Sequence, residues 1–257
     1  MLPVHYRRFL LVLVAVASAL ALTGCGFGRA GQQTGTDGRV ALRIFGASSL
    51  TQVLPVIDPQ ATYSFAGSDT LAEQIRQGAP ADVLAAASTR QPGELADEGL
   101  CEDPTPFATN SLVLIVPRDG AAVASIDDLL TGPRRRLAIG TAQVPIGAYA
   151  RTLLANLDAL AALDRNIVSA EQDAASIIAK VALGSADAGI AYATDARASD
   201  AVTAIALPAA AEPTVVYAAC VVRREGADSE GARAFIADLL APAGQRALTA
   251  AGFGKAP

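Results

Sequence analysis

Short apolar segments with the character of strands alternate with segments of helical periodicity from about residue 40 to the C-terminus. Residues 62–66 have strand character, whereas Leu71 and Ile75 lie four residues apart, as on one face of a helix. Further strands are predicted at 40–45, 82–86, 111–116, 137–140, 188–192, 202–207 and 215–222. This alternation restricts the chain to an α/β fold whose sheets are mostly parallel.

The corners between strands and helices carry the residues of interest. Thr70 and Glu73 predict a capping box for one helix, and Pro145 suits the first turn of another. In α/β sheets, ligands bind at the carboxyl ends of strands, beside the starts of helices. Five such positions offer small hydroxyls, a phenol or free backbone N–H groups, namely Ser49, Ser68, Ile146, Ala174 and Tyr192.

Each of these five positions also has a simpler interpretation. Ser49 and Ser68 are of the type that usually caps helices, and Tyr192 suits a core. Several helix N-termini that converge form an anion site, however, because their free N–H groups and dipoles attract negative charge. The five positions taken together therefore favour a small anionic ligand.

The N-terminus is typical of an exported protein. Arg7 and Arg8 precede an apolar run at 9–22, which is short for a membrane span. The run ends in L-T-G-C at 22–25, which resembles the lipobox of bacterial lipoproteins and makes Cys25 the predicted lipidated residue. We therefore predict a signal peptide at 1–24 and a flexible tether at 25–38. An ordinary signal peptide with an incidental cysteine is the alternative.

The composition excludes several kinds of chemistry. The only histidine, His5, lies in the predicted signal peptide, so the mature chain lacks imidazole for a catalytic triad or a typical zinc site. Removal of Arg7 and Arg8 with that peptide changes the formal charge from −5 to −7, which argues against a nucleic-acid partner. We predict a binding protein rather than an enzyme. An exported carboxylate-dependent hydrolase and a structural surface lipoprotein remain as alternatives.

Seven short sequence blocks carry a resemblance to a known family. They are A-S-S-L-T at 47–51, F-A-G-S at 65–68, G-A-P-A-D-V at 78–83, F-A-T-N-S-L-V at 107–113, V-P-I-G-A-Y-A at 144–150, G-I-A-Y at 189–192 and A-G-F at 251–253. In this order they resemble the molybdate-binding proteins of molybdate ABC importers, across nearly the whole mature chain. The G-A-P-A-D and N-S-L-V blocks are the most specific.

This resemblance implies a two-lobed periplasmic-binding-protein fold of type II, in which the chain crosses the hinge twice. Lobe 1 is expected at 39–112 and 217–257, and lobe 2 at 113–216. Each lobe is expected to contain a mostly parallel sheet flanked by helices. The family role implies a monomer on the extracytoplasmic face of the cell membrane, held there by its lipid anchor, that delivers its ligand to an ABC transporter permease.

The resemblance also implies a binding site made of neutral donors. Ser49 and Ser68 are expected to supply hydroxyls and N–H groups from lobe 1. Ile146 and Ala174 are expected to supply backbone N–H groups from lobe 2, and Tyr192 its phenol. The ligand is molybdate or tungstate, with no cofactor and no residue that coordinates molybdenum directly. Because a donor-only site suits any unprotonated dianion, a sulfate-binding protein remains an alternative.

Two features depart from the family. The chain between Ser49 and Ser68 is shorter than usual by roughly two helical turns, which predicts a short first helix before Pro59. Asp69 stands where a neutral residue is common, so we expect it to repel a dianion unless its carboxylate points away or caps the helix. The arginines at 134–136 are interpreted as solvated surface, without a role in the site.

The cysteines offer a further prediction. Lipidation of Cys25 leaves Cys101 and Cys220 as a pair in an exported protein, where disulfides form. Family topology places the segments that contain them near each other at the hinge, which implies a disulfide between them. The alternative is two separate buried cysteines.

Overall fold

The computed structural model of the protein describes residues 41–257, without the side chains of residues 162–164. The predicted signal peptide (1–24), the tether (25–38) and Cys25 lie outside the described residues. Between residues 41 and 257, no helix combines the length and the apolarity that a membrane span requires. The described chain forms two lobes, each built on a five-stranded sheet.

The first lobe contains the two ends of the described chain. Its strands are β1 (Arg43–Ala47), β2 (Thr62–Ala66), β3 (Val83–Ala86), β4 (Cys101–Asn110) and β10 (Val215–Val222), in the spatial order β2-β1-β3-β10-β4. Its helices are α1 (Leu54–Ile57), α2 (Ser68–Arg76), α3 (Arg90–Asp97), α9 (Ser229–Leu240) and α10 (Pro242–Ala250). The short first helix that the sequence predicted is α1, preceded by a 3-10 turn at Ser48–Leu50.

The second lobe contains the middle of the chain. Its strands are β5 (Leu112–Pro117), β6 (Leu137–Gly140), β7 (Ile167–Glu171), β8 (Ala188–Tyr192) and β9 (Val202–Ala206), in the order β7-β6-β8-β5-β9. Its helices are α4 (Ile126–Thr131), α5 (Pro145–Asn156), α6 (Leu160–Asn166), α7 (Ala174–Ala182) and α8 (Ala193–Arg197). The two-lobed α/β class predicted from the sequence is confirmed.

Both sheets are mixed rather than mostly parallel, which corrects one detail of the expected fold. In the first sheet β1 pairs in parallel with β2 and β3, whereas β10 pairs antiparallel with β3 and β4. The second sheet repeats this pattern, with β5 antiparallel to β8 and β9. Every antiparallel pairing involves β5 or β10, the strand that follows each inter-lobe crossing, because these two strands run against the other strands of their sheets.

The chain passes between the sheets twice. The first crossing is at Ser111, between β4 and β5, and the return lies between Ala206 and Val215. By sheet membership, lobe 2 begins at Leu112 and the return to lobe 1 is complete by Val215. We propose lobe limits of 39–112 with 217–257 for lobe 1 and 113–216 for lobe 2; the inner boundaries lie within two residues of these positions.

The helix α2 begins earlier than the sequence suggested. Leu71 N–H donates to the Gly67 carbonyl at 3.0 Å, so Gly67 is the N-cap and Ser68 is the first helical residue. Thr70 therefore lies inside the first turn, and the predicted capping box with Glu73 is wrong. First-turn N–H groups have no acceptor within the helix. This earlier start therefore leaves the N–H of Ser68, at the beginning of α2, without an acceptor in the helix.

Apolar strands buried on both faces hold each lobe together. Every residue of β3 and of β8 is buried, as their uninterrupted apolar and small residues require. A smaller cluster in lobe 1 packs Leu71 and Ile75 of α2 against Leu84 and Leu95. A disulfide joins Cys101 and Cys220 within the same cluster, with Cα atoms 5.9 Å apart.

Candidate functional site

A small cavity lies between the lobes. All five residues singled out in the sequence line it, namely Ser49, Ser68, Ile146, Ala174 and Tyr192. The other described residues in its lining include no lysine, arginine or histidine. The single ionisable carboxyl of the lining belongs to Asp173. The lining itself therefore offers an anion only dipoles and neutral hydrogen-bond donors.

Several helix N-termini meet at this cavity. Ser68 and Ala174 are the first residues of α2 and α7, and Ile146 is the second residue of α5. Ser49 lies in the 3-10 turn that follows β1, and Tyr192 is the residue directly before α8. The first N–H groups of each helix lack intrahelical acceptors and carry the positive end of the helix dipole. The cavity is thus suited to an anion.

Gly147 allows α5 to begin close to the end of β6. A Cβ atom on Gly147 would lie 1.8 Å from the Thr141 carbonyl oxygen and 2.4 Å from that of Gly140. No larger residue fits without moving the start of the helix. The glycine of the V-P-I-G block therefore fixes the place at which the N–H of Ile146 is presented.

Ser68 is held by the neighbouring strand. Its hydroxyl oxygen accepts a hydrogen bond from the Ala87 N–H at 3.0 Å, and the residue is 2% exposed. Because the oxygen is already occupied as an acceptor, the hydroxyl proton is available to donate. This arrangement leaves Ser68 with two donors for the cavity, the hydroxyl and the first-turn N–H.

Ser49 ends a buried polar chain that sequence reasoning missed. Its hydroxyl lies 2.8 Å from the Tyr217 hydroxyl, which accepts from Asn110 Nδ2 at 3.2 Å. Asn110 Nδ2 also donates to Thr194 Oγ1 at 2.9 Å, and its Oδ1 accepts from the Ser111 N–H. Either hydroxyl can be the donor in the pair of Ser49 and Tyr217, and Tyr217, which already accepts from Asn110, can donate its proton to Ser49. The Ser49 proton is then free for the cavity.

Tyr192 offers a buried and unused donor. Its hydroxyl has no hydrogen-bond partner among residues 41–257, and the side chain is 2% exposed. Burial, followed by the proximity of Tyr217, raises its pKa well above the ordinary value. The phenol therefore stays neutral. A buried hydroxyl without a partner is costly, and an acceptor in the cavity would satisfy it.

The two carboxylates closest in sequence to the donors have partners of their own. Asp173 caps α7 by accepting from the Ser176 N–H at 2.8 Å. Asp69, which the sequence flagged as repulsive, does not line the cavity and accepts from Arg90 at 2.8 Å. Its negative charge is thus neutralised by an arginine outside the cavity.

The lobes touch beside the cavity. A Cβ atom on Gly67 of lobe 1 would lie 2.0 Å from the carbonyl oxygen of Gln172 in lobe 2. The backbone chains are therefore in direct contact, next to Ser68 on one side and close to Ala174 on the other. The structure has a closed cleft, and glycine at position 67 is a condition for that closure.

Asp195 is a further carboxyl near the site. It lines a cavity of about 470 Å³ that adjoins Ser49. Burial, and then the charge of Asp173, raise its pKa to about 7. Its Oδ2 atom has no hydrogen-bond partner among the described residues.

The raised pKa of Asp195 predicts that the stability of the folded protein depends on pH. Between a pH of about 4, where an ordinary aspartate titrates, and about 7, the folded protein holds a proton that the unfolded chain has lost. Stability is therefore expected to fall as the pH rises through this range and to level off above it. Asp195→Asn should flatten the profile of melting temperature against pH. The fully exposed Asp200, replaced by asparagine, is the control; an unchanged slope in Asp195→Asn would contradict the assignment.

Two lobes joined by two crossings, with a donor-lined cavity at their contact, define the protein as a solute-binding protein of the two-lobed class. The family model described as "Bacterial extracellular solute-binding protein" matches residues 58–254. The chain belongs to this family and, within it, to the molybdate-binding proteins named ModA.

Two relatives of known family and one solved structure support this assignment. The molybdate-binding protein ModA of Mycobacterium bovis is 34% identical, with 95% of this chain and 96% of the relative covered. That of Haemophilus influenzae is 31% identical, covering 94% and 98%. The periplasmic molybdate-binding protein of Azotobacter vinelandii superposes with a TM-score of 0.71 at 25% identity, covering 82% of this chain and 98% of that one.

Proposed function

We propose that this protein captures molybdate outside the cytoplasm and delivers it to an ABC importer. The observation that carries the proposal is the cavity at which four helix starts and a 3-10 turn meet, lined by donors and free of cationic side chains. A tetrahedral dianion without protons can accept from every one of these donors. The similarity to ModA proteins supports molybdate as the ligand.

The proposed ligand-binding residues come from both lobes. Ser49 and Ser68 donate from lobe 1 through hydroxyls and N–H groups. Ile146 and Ala174 donate backbone N–H groups from lobe 2, and Tyr192 donates its phenol. Because the two sets face each other only when the cleft is closed, binding and closure stabilise one another.

Neutral donors suit a ligand that must be released again. A lysine or arginine in a dry cavity would add a strong charge interaction that opposes release and a desolvation cost when the cleft is empty. Dipoles of fixed backbone groups need no reorganisation on binding. Selectivity against sulfate then rests on size, since shorter bonds leave some donors of a rigid cavity unsatisfied.

The membrane attachment is part of the proposal. Lipidation at Cys25 would hold the lobes at the extracytoplasmic face of the cell membrane, on a tether of residues 25–38. We propose that the protein works there as a monomer beside the transporter permease. The L-T-G-C sequence at 22–25 and the extracellular family support this placement.

Thermal unfolding with four oxyanions tests the ligand. Molybdate and tungstate are expected to stabilise the protein similarly, by about 2.7 kcal/mol at a hundred times the dissociation constant. Sulfate and phosphate at the same concentration should stabilise far less. Equal stabilisation by sulfate would show that the protein binds oxyanions in general or sulfate in particular. No stabilisation by molybdate would refute the proposal.

Titration calorimetry of the Ser68→Ala variant tests whether the ligand binds in this cavity. The variant loses one hydrogen bond to a charged ligand, worth about 1.5–3 kcal/mol, and so should bind roughly ten- to 150-fold more weakly. Arg134→Ala removes an exposed positive charge remote from the cavity lining and is the control. A larger loss in Arg134→Ala than in Ser68→Ala would show that the site lies elsewhere.

A further inference from the structure

An arginine of lobe 1 reaches across the cleft. Arg90 is the first residue of α3, and its guanidinium donates to the backbone carbonyl of Gln143 in lobe 2. Gln143 lies in the segment between β6 and α5, three residues before Ile146. Neither Arg90 nor Gln143 lines the cavity, so this contact joins the lobes at its rim rather than touching the ligand.

Two carboxylates hold the guanidinium in place. Asp69 Oδ1 accepts from Arg90 Nη2 at 2.8 Å, and Glu94 Oε1 accepts from Nη1 at 3.0 Å. Asp69 directly follows Ser68, so the ion pair ties the start of α2 to the segment that leads into α5. A side chain fixed by two partners loses little further conformational entropy when it donates to a third.

We propose that Arg90, positioned by Asp69 and Glu94, is a latch that stabilises the closed cleft and slows the release of the oxyanion. The geometry that carries the proposal is a guanidinium whose two ionic partners lie in lobe 1 and whose remaining acceptor lies in lobe 2. The part of the proposal that concerns release rests on the proposed function, whereas the part that concerns closure does not.

As a partner of the Arg90 latch, Asp69 is expected to help retain the ligand, whereas simple repulsion would favour its release. Without Arg90, the carboxylate beside Ser68 would weaken binding of a dianion. With Arg90 in place, the charge is neutralised and the arginine is directed at Gln143. Asp69→Ser is therefore expected to speed dissociation in the wild-type background and to slow it in an Arg90→Met background. Repulsion alone predicts slower dissociation in both backgrounds.

Arg76 provides a matched control. It lies at the end of α2 and pairs with Glu94 and Glu98 of the α3 region at 3.5 and 2.8 Å, so its ionic partners are in lobe 1. Arg76→Met thus removes ion pairs between α2 and the α3 region without touching the cleft, and it leaves both ionic partners of Arg90 present, including Glu94, which lies closer to Arg90 than to Arg76. Any effect of Arg90→Met that exceeds this control belongs to the contact with lobe 2.

The first measurement is the distance between the lobes. Spin labels at the exposed positions Gln74 in α2 and Ala155 in α5, each replaced by cysteine in a Cys25→Ala background, report closure with and without molybdate. Arg90→Met is expected to reduce the population at the shorter distance in both conditions, whereas Arg76→Met should not. Distributions that match the wild type in both conditions would overturn the latch.

The second measurement is the rate of molybdate dissociation after dilution. Because the latch is partly exposed, its loss is expected to speed dissociation roughly three- to tenfold, with association changed less than about twofold. A rate equal to that of Arg76→Met would contradict the role in release. If the wild-type protein bound no molybdate, the proposed function would fail, and the ligand-free distances would still decide whether Arg90 holds the cleft closed.

Discussion

Replacing Gly67 with alanine is expected to weaken oxyanion binding at least about a hundredfold while leaving each lobe folded. The added Cβ atom would lie 2.0 Å from the Gln172 carbonyl oxygen, whereas a Cβ atom essentially never lies within 3.0 Å of a heavy atom outside its own residue and its two chain neighbours. The obstacle is backbone, which cannot rotate away as a side chain can. The lobes must therefore stop at least about 1 Å short of the closed position.

The size of the effect follows from the hydrogen bonds that span the cleft. A gap of this size prevents donors of lobe 1 and lobe 2 from reaching one ligand together. Loss of two hydrogen bonds to a charged group costs about 3–6 kcal/mol, which is a factor of roughly 150 to 20,000. The backbone at Gly67, with φ −63° and ψ 142°, is one that alanine adopts freely, so the ligand-free protein should remain folded.

Calorimetry measures the loss of oxyanion affinity in Gly67→Ala, and thermal unfolding of the ligand-free variant measures any loss of stability. Alanine at a helix N-cap is less favourable than glycine by up to about 1 kcal/mol, so a small loss of stability is expected. Gly93→Ala is the matched control, since Gly93 lies inside α3 with nothing within 4 Å of its added Cβ atom. Equal affinities for Gly67→Ala and Gly93→Ala would show that the lobes do not close at this contact.

Local sequence patterns pointed to several of the corners that line the cavity. The serine after each of two strands and the V-P-I-G block identify corners because hydroxyls and a first-turn proline have local conformational reasons to be there. The resemblance assigned donor roles to Ser49, Ser68, Ile146, Ala174 and Tyr192, and the structure lines one cavity with all five. Short-range periodicity also placed most strands within about two residues of their observed limits.

Long-range contacts were beyond the same reasoning. Tyr217 reaches Ser49 across 168 residues of sequence and Asn110 across 107, and nothing in a run of apolar residues marks one tyrosine as a polar partner. Asp69 looked repulsive because its partner, Arg90, lies 21 residues away on another helix. The start of α2 was misjudged because Gly67 caps it through its carbonyl, without the side-chain signature of a capping box.

Loss of the disulfide between Cys101 and Cys220 is expected to lower the free energy of unfolding by about 4–5 kcal/mol in the chain-entropy model, while molybdate affinity changes less than about twofold. The two residues are 119 apart in sequence, so the bond removes much conformational freedom from the unfolded chain. Both cysteines are at most 2% exposed, which makes the Cys101→Ala/Cys220→Ala variant a better test than reduction.

Denaturant unfolding and calorimetry on this double variant give the two quantities, with Cys25→Ala as the control for cysteine replacement. A midpoint equal to that of the control would contradict the prediction. So would two alkylatable thiols, in addition to any at Cys25, in unfolded and unreduced wild-type protein. Alanine leaves only a small cavity, so the lost packing adds little to the entropic effect.

Binding should survive because of where the bond lies. Cys101 and Cys220 are on β4 and β10, which are neighbouring antiparallel strands of the lobe 1 sheet with Cys101 opposite Val222. The loop that the bond closes contains all of lobe 2, from β5 to β9, yet no part of the bond crosses the cleft. It therefore restricts the unfolded chain without restricting the movement of one lobe against the other. A disulfide placed in this way stabilises the fold of lobe 1 without affecting the inter-lobe contacts of Gly67 and Arg90 or the donors of the cavity.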